Sequence, residues 1–108
     1  MILKLAYNNQ LESFYIKVKE LLENYPLVKL EAFNEDSFQS RRNAFKLKSI
    51  YGTKLLPFMV LLDQDKNVVE AFYSDNKSCT LDYLKVVLDH WIVYNPKENG
   101  YSRVEEKA

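Results

Sequence analysis

The chain has 108 residues, 47% hydrophobic and 14% aromatic, with 15 Lys and Arg set against 15 Asp and Glu. This length fits one compact domain, and the apolar content excludes a disordered chain. A single Cys excludes an internal disulfide, and a formal charge of zero removes any general pull toward nucleic acid or anionic membranes.

Ile2 to Tyr7 is a short apolar run ending in Asn8-Asn9, as a buried strand does. Leu11, Phe14, Tyr15, Val18, Leu21 and Leu22 then recur at spacings of three and four, so one face of a helix runs to about Asn24. Pro26 bars its continuation. Leu27 to Phe33 alternates in part and reads as a second strand. Asn34-Glu35-Asp36-Ser37 reads as a helix start, with acids where the helix dipole favours them. That helix is expected to carry Phe38, Ala44, Phe45, Leu47 and Tyr51 inward and to stop at Gly52. Phe58 to Leu62 is a third strand, and Asp63 to Asn67 is a polar turn. Val68 to Tyr73 is a fourth strand, antiparallel to the third because so few residues join them. Ser78 to Thr80 can cap a last helix whose face is Leu81, Leu84, Val87, Leu88 and Trp91.

The order is β-α-β-α-β-β-α, an α/β class. The first two strands are expected to run parallel with a right-handed crossover. A four-stranded mixed sheet results, with the first and last helices on one face and the middle helix on the other. This domain spans residues 1–94. Residues 95–108 read as a polar tail, partly ordered at best, broken by Pro96 and Gly100. The opening residues do not form a signal peptide, and no run reaches the roughly 20 apolar residues of a membrane helix. The expected compartment is therefore the cytoplasm, with no membrane partner. The Asn76-Lys77-Ser78 sequon carries no weight without secretion.

Tyr51-Gly52, then four residues, then Pro57 leading into Phe58-Met59-Val60-Leu61-Leu62, is the most specific text in the chain. With the element order around it, this resembles the thioredoxin-like superfamily in its minimal, glutaredoxin-sized form, over roughly residues 1–93. The resemblance implies a cis Pro57 that turns the backbone of Leu56 toward a groove. There an extended peptide, or the peptide part of glutathione, could pair with it. The alternative is that Pro57 simply opens an edge-proximal strand in trans, and cis is the expectation.

Such proteins carry Cys-x-x-Cys, or one Cys, between the first strand and first helix. Here that place falls on Glu12-Ser13-Phe14-Tyr15, or on Gln10-Leu11-Glu12-Ser13 in a shifted register, and neither window holds Cys. Dithiol exchange needs two thiols, so the isolated chain cannot perform it. Ser13 has no His near it in sequence to activate a hydroxyl. Phe14 and Tyr15 suit partner contact if exposed, and core filling if not.

Cys79 lies at the start of the last helix, where a helix N-terminus lowers a thiol pKa. It reads either as a reactive or glutathionylated thiol, or as a small half-buried packing residue, and packing is the expectation. Between Ser37 and Leu62 there is no acid but five bases: Arg41, Arg42, Lys46, Lys48 and Lys54. These form either an anion patch or, as expected, a solvent face; nucleic acid is not the expected partner. Lys54 stands out because it precedes Pro57. A lone His90 with no second His or Cys beside it is not a metal site, and Tyr83, Trp91 and Tyr94 read as core and rim packing.

The expected function is a redox-inactive thioredoxin-like module, binding or structural. It contacts a protein partner or neighbouring subunit through residues 8–15, Leu56-Pro57 and Ser74 to Cys79. No catalytic residue, metal or resident cofactor is assigned. The enzymatic alternative is a thiol- or glutathione-linked activity using Cys79. A third reading is an accessory protein of a virus or mobile element, located in a virion if viral. It rests only on a composition rich in Lys, Asn and Tyr.

Overall fold

The computed structural model of the chain describes residues 1–95 and 100–103, with side chains through His90. Its first strand, β1 (Ile2–Tyr7), leads through a 3-10 turn at Asn9–Leu11 into α1 (Glu12–Leu22). There follow β2 (Lys29–Asn34), α2 (Arg41–Ile50), β3 (Phe58–Leu62), β4 (Val68–Tyr73) and α3 (Leu81–Trp91). Two four-residue strands, β5 (Ile92–Asn95) and β6 (Gly100–Arg103), pair antiparallel beyond α3. The side chains of Trp91 and Tyr94, and the tail positions 96–99 and 104–108, lie outside the described residues. No helix among the described residues is long and apolar enough to cross a membrane.

The main sheet is mixed, with strand order β2-β1-β3-β4. β1 and β2 are parallel, while β3 is antiparallel to both β1 and β4. β3 is buried along its whole length because it is central and covered on both faces. Period-two alternation divides its side chains. Met59 and Leu61 join Leu3, Leu5, Val18, Phe72, Leu84 and Leu88 in one core, roofed by α1 and α3. Phe58, Val60 and Leu62 join Ala6, Ala44 and Leu47 in the other, roofed by α2. The two-and-one arrangement of helices expected from the sequence is therefore present.

Local hydrogen bonds fix the turns. Asp63 is buried, and its Oδ1 accepts from the N–H groups of Asp65 and Asn67, both at 2.9 Å, closing the β3–β4 hairpin. Thr80 caps α3 by accepting the Tyr83 N–H at 3.1 Å. Gly52 sits just past α2 with φ +70°, where an L side chain is disfavoured. The Thr53 N–H then reaches back to the Lys48 carbonyl at 3.0 Å.

One expected boundary is corrected. α2 starts at Arg41, and the segment Asn34 to Ser37 does not begin it. The Asn34 side chain instead accepts the Asp36 N–H at 2.8 Å, a local turn that competes with helix. Ser40 cannot cap α2 with its side chain, because its Oγ is shared with the N–H and C=O of Asn34 at 3.1 and 3.0 Å. The inward stripe of α2 is Ala44, Leu47 and Lys48, with Tyr51 following. Phe38 lies in the preceding turn at 89% exposure, and Phe45, off that stripe, is 49% exposed. Both were expected to face the core.

Candidate functional site

Strand register gathers the chain segments singled out in the sequence. Ala6 pairs with Phe58, and Phe58 with Tyr73, so residues after Ala6, before Phe58 and after Tyr73 meet at one end of the sheet. Asn34 closes β2 beside Tyr7 at the same end.

Two hydrogen-bonded assemblies build this end. In the first, the N–H of Glu35 donates to the Tyr7 carbonyl at 2.7 Å and the Asn9 N–H to Asp36 Oδ2 at 2.9 Å. Asn34 Nδ2 donates to Asn9 Oδ1 at 2.9 Å. The Tyr7 ring stacks on Tyr15 with centroids 4.7 Å apart and planes 8° from parallel. Burial pushes the Tyr7 phenol pKa up; Glu12 and Tyr15 add to this, and the Asn34 side chain works against it. Asn8 Oδ1 is buried there with no hydrogen-bond partner among the described residues.

In the second assembly, Ser74 Oγ donates to the Pro57 carbonyl at 2.6 Å and Thr53 Oγ1 to Asp75 Oδ1 at 2.9 Å. The loop after β4 closes on itself. The Ser78 N–H donates to the Tyr73 carbonyl at 2.9 Å, and the Tyr73 N–H to Ser78 Oγ at 2.9 Å. The Leu56–Pro57 peptide bond is cis.

The side chains of the candidate residues do not converge as the backbone does. Phe14, Tyr15 and Cys79 belong to the core under α1 and α3, whereas Leu56 packs against the core under α2. Glu12, Ser13 and Lys54 are exposed, and Pro57 is half-buried. Phe14 and Tyr15 are half-buried, so both lend area to the core.

Cys79 is buried, at 7% exposure. Burial pushes its thiol up to about 12, with the Met59 backbone pulling weakly the other way. An ordinary value near 9 thus gives way to a thiol that stays protonated across neutral pH. The helix-start effect is outweighed because the sulfur points into the apolar core and away from solvent. Among the described residues no three His, Cys, Asp or Glu side chains gather as metal ligands would.

A different surface went unread in the sequence. Phe38, Gln39, Arg41, Arg42, Phe45 and Lys46 line a groove of about 830 Å³ on the outer side of α2. In the sequence its cations read as a charge run and its aromatics as apolar positions of the helix. The available signal was Asn34 itself, whose side chain readily accepts the backbone N–H two residues on and closes a turn before the helix. A second depression, of about 420 Å³, lies between α1 and β2 beside Tyr15, Lys19 and Leu30. Neither is lined by Leu56, Pro57 or Cys79. No protein-family model, no curated protein and no solved structure matches the chain.

Proposed function

We propose that the chain is a binding module of thioredoxin-like architecture. It has no thiol chemistry of its own and meets a protein partner at the sheet end around Leu56 and Pro57. The strand order β2-β1-β3-β4, with α1 and α3 on one face and α2 on the other, supports the architecture. The observation that carries the functional reading is Cys79. The one thiol of the chain is sealed in the core and held protonated, so it offers neither a nucleophile nor a site for a glutathione mixed disulfide.

What the sheet end offers instead is contact. Leu55 is 51% exposed beside exposed Lys54, on a loop braced by Thr53 and by the Ser74 hydrogen bond to Pro57. An apolar side chain on a braced loop loses little conformational entropy on binding. A photo-crosslinking residue at position 55, compared with one at exposed Val86 on α3, tests this in the native cells. A discrete adduct from position 55 alone is expected. Equal adducts from both positions, or none from 55, would remove the sheet end as the binding surface. Disulfide reduction in an insulin assay is expected at the level of buffer. Turnover lost in Cys79→Ser would reverse the reading in favour of an enzyme.

A further inference from the structure

We infer that the outer face of α2 is a docking surface for an acidic, amphipathic helix of a partner protein. The surface is separate from the sheet end. Ala44, Leu47 and Lys48 point α2 into its core, which leaves Arg42, Phe45, Lys46 and Ser49 on the opposite side. Phe38 projects from the preceding turn into the same groove at 89% exposure. Single exposed apolar residues are ordinary, but two aromatics sharing one groove are not.

Charge decides what covers them. No acid occurs between Ser37 and Leu62. The nearest carboxylates are already engaged: Glu35 pairs with Lys48, and Asp36 holds the Asn9 N–H. Arg41 is anchored by its Nε donating to the Glu35 carbonyl at 3.2 Å. Arg42 and Lys46 have no ion-pair partner among the described residues. They stand one turn apart, about 6 Å along the axis, which matches carboxylates spaced i, i+4 on a facing helix. An apolar floor between cations therefore fits a helix with one apolar stripe and acidic flanks. A second copy of this face would bring like charges together. Single-strand binders track the phosphate backbone with an extended basic groove, and Arg41, Arg42 and Lys46, all within two turns of one helix, give only a short one.

The test titrates 15N-labelled protein with a synthetic helix-forming peptide of about 18 residues. Leu occupies one stripe, Glu its flanks and Ala the remainder. Comparison probes are the same peptide with Lys for Glu, poly-glutamate, and oligothymidylate. The expected result is amide shifts centred on residues 38–49 with the acidic peptide. Binding of the other three should be at least about tenfold weaker. The double variant Arg42→Glu, Lys46→Glu should lose about tenfold. Phe38→Ser should lose several-fold, and both variants change only exposed residues. Equal binding by poly-glutamate would overturn the inference in favour of charge alone, and tighter binding by oligothymidylate in favour of nucleic acid. Shifts confined to 8–15, 55–57 and 74–79 would overturn it while leaving the sheet-end reading intact. No binding by any probe would overturn it outright.

Discussion

The two faces of the sheet are finished differently. Two helices, α1 and α3, roof one face, and the hydroxyl of Tyr25, just past α1, donates a hydrogen bond to Asp89 within α3. The single α2 roofs the other over a smaller core. That smaller core also admits a charge: Lys48 is buried beside it, compensated by Glu35 and lying 5.0 Å from the Phe45 ring. A lone helix across a sheet has its back to solvent, and here that back carries Phe45 with Phe38 beside it. The double-roofed face buries the larger core and the thiol; both faces expose single aliphatic side chains, and Phe38 and Phe45 stand together on the outer side of α2.

Large-to-small substitution is the strongest way to break this contrast. Leu84→Ala, fully buried in the core under α1 and α3, is expected to cost about 4 kcal/mol in denaturant unfolding, whereas Leu47→Ala under α2 should cost about 2–3 kcal/mol. Equal losses would mean that the faces contribute alike.

Cys79 sharpens the same contrast. A pKa raised from near 9 to about 12 lowers its thiolate fraction about a thousandfold at pH 8. Thiol labelling at pH 8 should therefore be much slower in the native state than in urea. The raised value also links stability to pH. Its contribution is complete below pH 9 and is lost as pH rises toward 12, so the urea midpoint of wild type should fall in that window more steeply than that of Cys79→Ala.

Smaller effects follow at the edges of each face. Glu35→Ala leaves Lys48 without its carboxylate under α2, and about 1–2 kcal/mol of stability should go, since the pair is not fully desolvated. Lys48→Met should recover most of it in that background. Gly52→Ala places an L side chain at φ +70° and should cost about 1 kcal/mol, with open space around the new methyl. Asp89 is the mildest case. The hydrogen bonds from Lys85 and Tyr25 lower its carboxyl pKa, so its contribution is present above pH 4 and lost as pH falls. Asp89→Asn should thus lower the thermal midpoint slightly at pH 7, and the difference from wild type should shrink as pH falls below 4.

Sequence by itself determined the element order through α3 and most boundaries within it, but not the β5–β6 pair that follows. β1, β3 and β4 have the bounds that their apolar runs imply, and α3 begins after Thr80 as its cap requires. These are local signals: side-chain periodicity of two or 3.6, a capping oxygen, a turn residue. The absence of a second thiol was equally legible, and with it the exclusion of dithiol exchange.

Only the tertiary structure decided the rest. Asn34 could cap a helix or close a turn, and the pairing of β2 with β1 held it beside Asn9, where it closes a turn. That choice delayed α2 and turned Phe38 outward. Cys79 could meet solvent at a helix start or meet the core. The hydrogen bonds of the Tyr73–Ser78 loop swing it under β3, and desolvation then governs its chemistry. In each case a residue had two satisfactory local partners. Contacts between segments distant in the chain, which no local period encodes, selected one of them.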